Sequence, residues 1–205
     1  MRPPGVYAAY ALAIAAFGPS AEAIRLGLLC ANAATAALLF GLGAREASRA
    51  LHGANPFPEA VEIASWLRAH SEPGDRIAVL GSEPEIYFYA RRRAATPYLY
   101  TYELVQPHPY AERMQRELIE RLESQPPRFV VLVNLALSWR PAPGVRNRVV
   151  EWYRERVPGS YTQVGQVNLV SRERTDYVWG PEAARAPRSA SGWIAVWERR
   201  AAPGG

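Results

Sequence analysis

The residues best placed to do chemistry sit in one short stretch, Val79-Leu80-Gly81-Ser82-Glu83-Pro84-Glu85. Ile77-Ala78-Val79-Leu80 reads as a buried strand, and a helix is predicted over 84–91, so the stretch is a strand-to-helix turn. Open α/β sheets usually hold their ligands at such turns. There Ser82 and Glu83 offer a hydroxyl and a carboxyl. The same residues have an architectural reading, with Ser82 as N-cap and Glu83 and Glu85 facing the positive end of the helix. Just downstream, Tyr87, Tyr89, Tyr98, Tyr100 and Tyr102 surround the run Arg91-Arg92-Arg93. That mixture suits stacking on a sugar or gripping a phosphate, and it suits ordinary sheet and helix packing equally. The ligand-binding set on the functional reading is Ser82, Glu83, Tyr87, Arg91 and Arg93.

Other chemistries lack their residues. The turn has neither the further glycines of a dinucleotide loop nor the Lys of a phosphate loop, so no cofactor is expected. Three scattered His and the single Cys30 form no zinc-type spacing, and no metal is expected. His108 lies between Pro107 and Pro109, where a loop His could serve as a base, but no Ser, Cys or acidic partner is positioned by sequence beside it. No catalytic residue is assigned.

The elements that must hold the turn are regular from Asn55 onward. Asn55 is expected to cap a helix beginning at Pro56, with Val61, Ile63, Ala64 and Leu67 as its apolar stripe. Pro73-Gly74-Asp75 is turn chemistry leading into the strand at 77–80. A further strand is read at 98–102, then an amphipathic helix over 110–124. Phe129-Val130-Val131-Leu132-Val133 is the clearest buried strand, and a helix over 145–156 follows. The tail changes period: 161–170 and 191–198 read as strands joined by a loop at 181–190. Trp139, Trp152, Trp179, Trp193 and Trp197 read as core or membrane-facing anchors. The expected domain is three-layered α/β with a mixed, mainly parallel sheet and an antiparallel edge, preceded by an N-terminal apolar helical segment.

Composition divides the chain near residue 45. Residues 3–21 and 26–44 carry no charge, whereas charges recur every few positions from Arg45. A helix over 26–44 is long enough to approach a bilayer core of roughly 30 Å, though its Ala and Gly content makes insertion marginal. Arg45 and Arg49 would place its end in the cytoplasm. Residues 6–17 form a shorter run, which suits an interfacial or re-entrant helix. The rival reading is a secretory signal peptide cleaved after Ala21-Glu22-Ala23. The predicted division is 1–50 as apolar membrane segment and 51–205 as α/β domain. All 24 basic residues are Arg, and the net charge is +5. Only 91–93 forms a basic run, so nucleic acid is not an expected partner.

Two stretches carry a resemblance. Pro3-Pro4-Gly5-Val6-Tyr7, with Phe17-Gly18-Pro19-Ser20 and Ala23-Ile24-Arg25-Leu26, resembles a segment of integral-membrane glycosyltransferases of the protein-mannosyltransferase-like family, which use polyprenyl-phosphate sugars. Asn55-Pro56-Phe57, Asp75 through Ser82 and Ile86-Tyr87 look like the soluble C-terminal domain of bacterial members. The resemblance implies an inner-membrane location, an extracytoplasmic soluble domain and a lipid-linked sugar donor as partner. The family's membrane helices between these two parts have no counterpart here, and the join falls within 43–51. Its catalytic acid precedes the Pro-Pro segment, and this sequence has no acidic residue before Glu22. The expected function is therefore a glycosyltransferase remnant, inactive alone. The alternative is a membrane-tethered or exported α/β module whose ligand sits over Gly81 to Glu85.

Overall fold

The computed structural model describes residues 55–171 and 174–201. The apolar segments at 6–17 and 26–44, the boundary at residue 50, Cys30 and His52 lie outside the described residues. Among the described residues, no helix is long and apolar enough to cross a membrane.

Two strands with apolar side chains on both faces organise the domain. Strand β1 is Arg76–Leu80 and strand β3 is Phe129–Asn134, and they pair in parallel, Ile77 opposite Phe129 and Leu80 opposite Leu132. Side chains alternate across a strand, so such a run can be buried only if both faces are covered. On one face Ile77, Val79, Phe129, Val131 and Val133 meet helix α1, Phe57–Ala69, and helix α2, Glu85–Ala90. On the other, Ala78, Leu80, Val130 and Leu132 meet helix α3, Ala111–Ser124, and helix α5, Arg148–Ser160. A one-turn helix, α4, spans Ala136–Trp139 between β3 and α5. The three layers agree with the sequence reading.

The sheet is mixed, but the expectation of a mainly parallel one is corrected. Its six strands run in the order β2-β1-β3-β6-β4-β5. Only β2 (Arg93–Ala94), β1 and β3 are parallel; β6 (Trp193–Arg199), β4 (Tyr161–Leu169) and β5 (Thr175–Trp179) join by three antiparallel pairings. The hairpin is β4–β5, and the last strand returns to lie between β3 and β4. Burial of Ile194 to Trp197 on both sides explains that position, since a strand with two apolar faces cannot stay at an edge.

Three local expectations also change. The second parallel strand is the two-residue Arg93–Ala94, not 98–102, where the chain is irregular before a 3₁₀ turn at Tyr102–Val105. Asn55 does not cap: Pro56 occupies the N-cap position with no side-chain hydrogen bond. Ser82 is likewise no N-cap, because Pro84 holds that position of α2. The rule succeeds at Asn147, whose side chain accepts a hydrogen bond from the Val150 N–H at the start of α5.

A row of buried amides ties the tail together. Gln163 donates to the Gln166 carbonyl oxygen, Gln166 to that of Asn168, and Asn168 to the Pro187 carbonyl, so the loop at 181–190 is pinned across β4.

Candidate functional site

The chain leaves β1 through α2 to one side, to reach β2, and then crosses over β1 to reach β3 on its other side. Where successive connections depart in opposite directions, the loops after the two central strands part and leave a crevice at their carboxyl ends. Here the loop Gly81-Ser82-Glu83, after β1, and the loop Leu135 to Ser138, after β3, meet and bond to each other at the switch point. Gly81 is required by close approach: a Cβ there would sit 2.3 Å from Glu83 Oε2, 2.7 Å from Ser138 Oγ and 2.8 Å from Val133 Cβ.

Four polar side chains meet at this point. The Ser138 hydroxyl donates to Glu83 Oε2 at 2.8 Å and accepts the Ser82 backbone N–H at 3.0 Å. Thr101, from the loop after β2, donates its hydroxyl to the Ser138 carbonyl at 3.1 Å, and its backbone N–H reaches Ser82 Oγ at 3.1 Å. With the Thr101 proton so committed, the 3.1 Å contact between the two hydroxyls is one in which Ser82 donates. Every hydroxyl proton thus has an internal acceptor, and what the cluster keeps for a visitor is mainly oxygen lone pairs.

Depth orders the four. Thr101 (1% exposed), Ser138 (2%) and Glu83 (4%) are buried, and Ser82 alone is half-buried. Burial pushes the Glu83 carboxyl up to about 7, the Ser138 hydroxyl offsetting part of that rise and the nearby Glu85 adding to it. Burial raises Glu85 as well. At neutral pH Glu83 is therefore divided between acid and carboxylate, and its proton is the one donor of the cluster without a fixed acceptor. Around Thr101 the rings of Tyr100 and Tyr102 are stacked with centroids 6.3 Å apart, Tyr100 being 54% exposed. Tyr102 donates its hydroxyl to the Leu137 carbonyl, which joins this aromatic ledge to the loop after β3.

No protein family, curated protein or solved structure matches this chain.

The residues named from sequence are only partly brought together. Ser82 and Glu83 are in the crevice. Tyr87 is not: its ring is buried in the core and its hydroxyl accepts the Val79 N–H at 2.8 Å, while burial drives its ionisation far upward. Arg93 pairs with Arg76 at the amino end of β1, about 13 Å of strand away from Leu80. Arg91 closes α2 in the left-handed region, φ 54°, and is exposed. The middle member, Arg92, is a clamp: its guanidinium donates to the carbonyls of Arg68, Ser71 and Ala90 and to Ser71 Oγ, fastening α2 to the end of α1.

His108 is also accounted for. Its Nδ1 accepts the Tyr110 N–H, which leaves the proton on Nε2 for the Glu103 carbonyl at 2.6 Å, a loop brace rather than a base. Among the described residues no group of His, Cys, Asp and Glu could hold a metal. Sequence reasoning missed Thr101 and Ser138, which lie 19 and 56 residues from Ser82. One signal pointed at Ser138: it follows the clearest strand, whose carboxyl-end loop shares a crevice with that of its parallel neighbour.

Proposed function

We propose that this chain is a remnant of a polyprenyl-phosphate-sugar glycosyltransferase whose α/β domain acts as a binding module and transfers no sugar. In this reading the apolar segment at 26–44 tethers the domain to the bacterial inner membrane, and the partner is a hydroxyl-rich ligand such as the sugar of a lipid-linked donor. The observation that carries it is the interlocked Ser82–Glu83–Thr101–Ser138 cluster at the switch point. A sugar presents hydroxyl donors, which match a cluster whose own hydroxyl donors are spent, and an apolar C–H face, which matches the ledge of Tyr100 and Tyr102. An anion fits poorly, since Glu83 and Glu85 oppose it.

The experiment uses the full chain in detergent micelles with a polyprenyl-phosphate hexose and, separately, a methyl hexoside. Ligand-detected NMR is expected to show saturation of the sugar ring protons, lost in Ser82→Ala and in Tyr100→Ala, with no sugar transferred to any acceptor. Donor-dependent transfer, or saturation unaffected by both substitutions, would overturn the proposal.

A further inference from the structure

The amino end of the parallel strands carries a feature that the crevice does not use. Arg93 stands opposite Arg76 on neighbouring strands. Arg128, one residue before β3, donates its backbone N–H to the Arg76 carbonyl at 2.9 Å, and Arg199, at the end of β6, donates its own to the Arg128 carbonyl at 2.9 Å. Four arginines therefore stand side by side across four adjacent strands, a row of about 14 Å at ordinary strand spacing. Each is two residues from a side chain of the same cluster, Ala95, Ala78, Val130 and Trp197, so all four lie toward the face covered by α3 and α5.

The row ends in a concavity. A groove of about 1100 Å³ is lined by Arg128, Arg199, Arg200 and Arg156, with the hydroxyls of Ser160 and Thr162 beside them. Its carboxylates are Glu198, 2.6 Å from Arg128, and Glu123, 3.8 Å from Arg156. Four arginines thus line the groove with two glutamates, and Arg76 and Arg93 continue the positive charge along the row. Arg200 commits one N–H from each guanidinium nitrogen, to the carbonyls of Pro158 and Gly159 and to the Thr162 hydroxyl. Arg76 and Arg199 each commit one N–H group, to the carbonyls of Ala94 and Pro126, which orients the guanidinium and leaves its remaining donors outward. Like charges directly opposite on adjacent strands cost stability, so the row is a poor device for holding the sheet together and a good one for holding an anion.

We propose that this groove and row form a phosphate-binding site, taking a phosphate ester or a diphosphate, carried either by a soluble compound or by a lipid head group. It lies at the opposite end of β1 from the sugar-binding crevice and stands or falls independently of it. A forked guanidinium matches phosphate oxygens two at a time, and the groove supplies several forks with hydroxyls between them.

The test uses the full chain in neutral detergent, titrated with inorganic pyrophosphate, and, reconstituted, with phosphatidylglycerol vesicles against pure phosphatidylcholine vesicles. Pyrophosphate is expected to bind, to raise the melting temperature, and to bind more weakly as salt is added. Arg128→Gln/Arg199→Gln should weaken binding about tenfold or more. The matched charge loss Arg140→Gln/Arg185→Gln should leave it within about twofold, since neither residue lines the groove. Binding of pyrophosphate alone identifies a soluble phosphate; a phosphatidylglycerol preference lost in the same double variant identifies a head group. Absence of both, or equal loss in the two double variants, overturns the site. If Arg128→Gln/Arg199→Gln melts too early to assay, Arg76→Gln/Arg93→Gln at the exposed strand ends replaces it, with the same two outcomes.

Discussion

The two ends of β1 face different chemistry. At the carboxyl end, Ser82, Glu83, Thr101 and Ser138 are bonded to one another, largely buried, and short of donors. At the amino end, Arg76, Arg93, Arg128 and Arg199 are exposed and rich in donors, and they touch backbone carbonyls and one glutamate. The difference teaches how a sheet separates functions. Buried polar groups must be satisfied internally, so the geometry of the carboxyl end is tightly specified. Exposed charges are hydrated and screened, so the amino end can carry like charges in a row at small cost to folding.

The widest gap between the two ends should appear in pH dependence. Folded Glu83 holds its proton up to about pH 7, whereas in the unfolded chain the carboxyl ionises near 4.5. Between those values the native state binds more protons, so this group's stabilisation is complete below pH 4.5 and is lost as pH rises through 7, by about 3 kcal/mol. Glu83→Gln should remove that slope and gain about 2 to 3 kcal/mol at pH 8, read from urea unfolding at pH 5 and pH 8. Parallel curves for variant and parent would place the titration elsewhere.

Next comes the pair of glycines that bracket β1. Gly81→Ala puts a methyl group against Glu83, Ser138 and Val133 and should cost about 1 to 3 kcal/mol. Gly74→Ala meets nothing within 4 Å and should change stability by less than about 0.5 kcal/mol. Equal denaturant midpoints for the two would dissolve the contrast. Thr101→Val keeps the volume but deletes the hydroxyl that Ser82 and Ser138 share, and should cost about 1 to 2 kcal/mol in the same assay. Arg199→Gln should have a small effect, under about 1 kcal/mol by thermal melting, because its side chain is exposed and makes one hydrogen bond. A drop of several degrees there would make the arginine row structural.

Much of the fold was legible because it follows local rules. Phe129 to Val133 is a two-faced apolar run bounded by Pro127 and Asn134, and it is the centre of the sheet. The helix stripe Ile63, Ala64 and Leu67 and the repeat Leu118 and Leu122 face the core as their spacing requires. The aromatic alternation at 98–102 misled, since Thr101 turns inward to Ser82 and Ser138 and the rings on either side lie along the surface. The Arg91 to Arg93 run misled in another way. Three adjacent arginines do three things: Arg91 ends a helix, Arg92 clamps it, and Arg93 enters the row.

The sequence by itself determined the main helices and the central strands at 77–80 and 129–133, that apolar faces demand three layers, and that Ser82 and Glu83 sit at a strand-to-helix turn, because periodicity and turn residues act over a few positions. Only the tertiary structure decided which strands are neighbours and in which direction they run. That choice set the final strand antiparallel between β3 and β4, brought Thr101 and Ser138 to Glu83, and raised a carboxyl that exposure would have left ordinary. It also aligned Arg93, Arg76, Arg128 and Arg199, which come from four separate segments of the chain. The physical reason is common to all of these: strand order and direction are chosen by burial summed over the whole core, and no window of local sequence contains that sum.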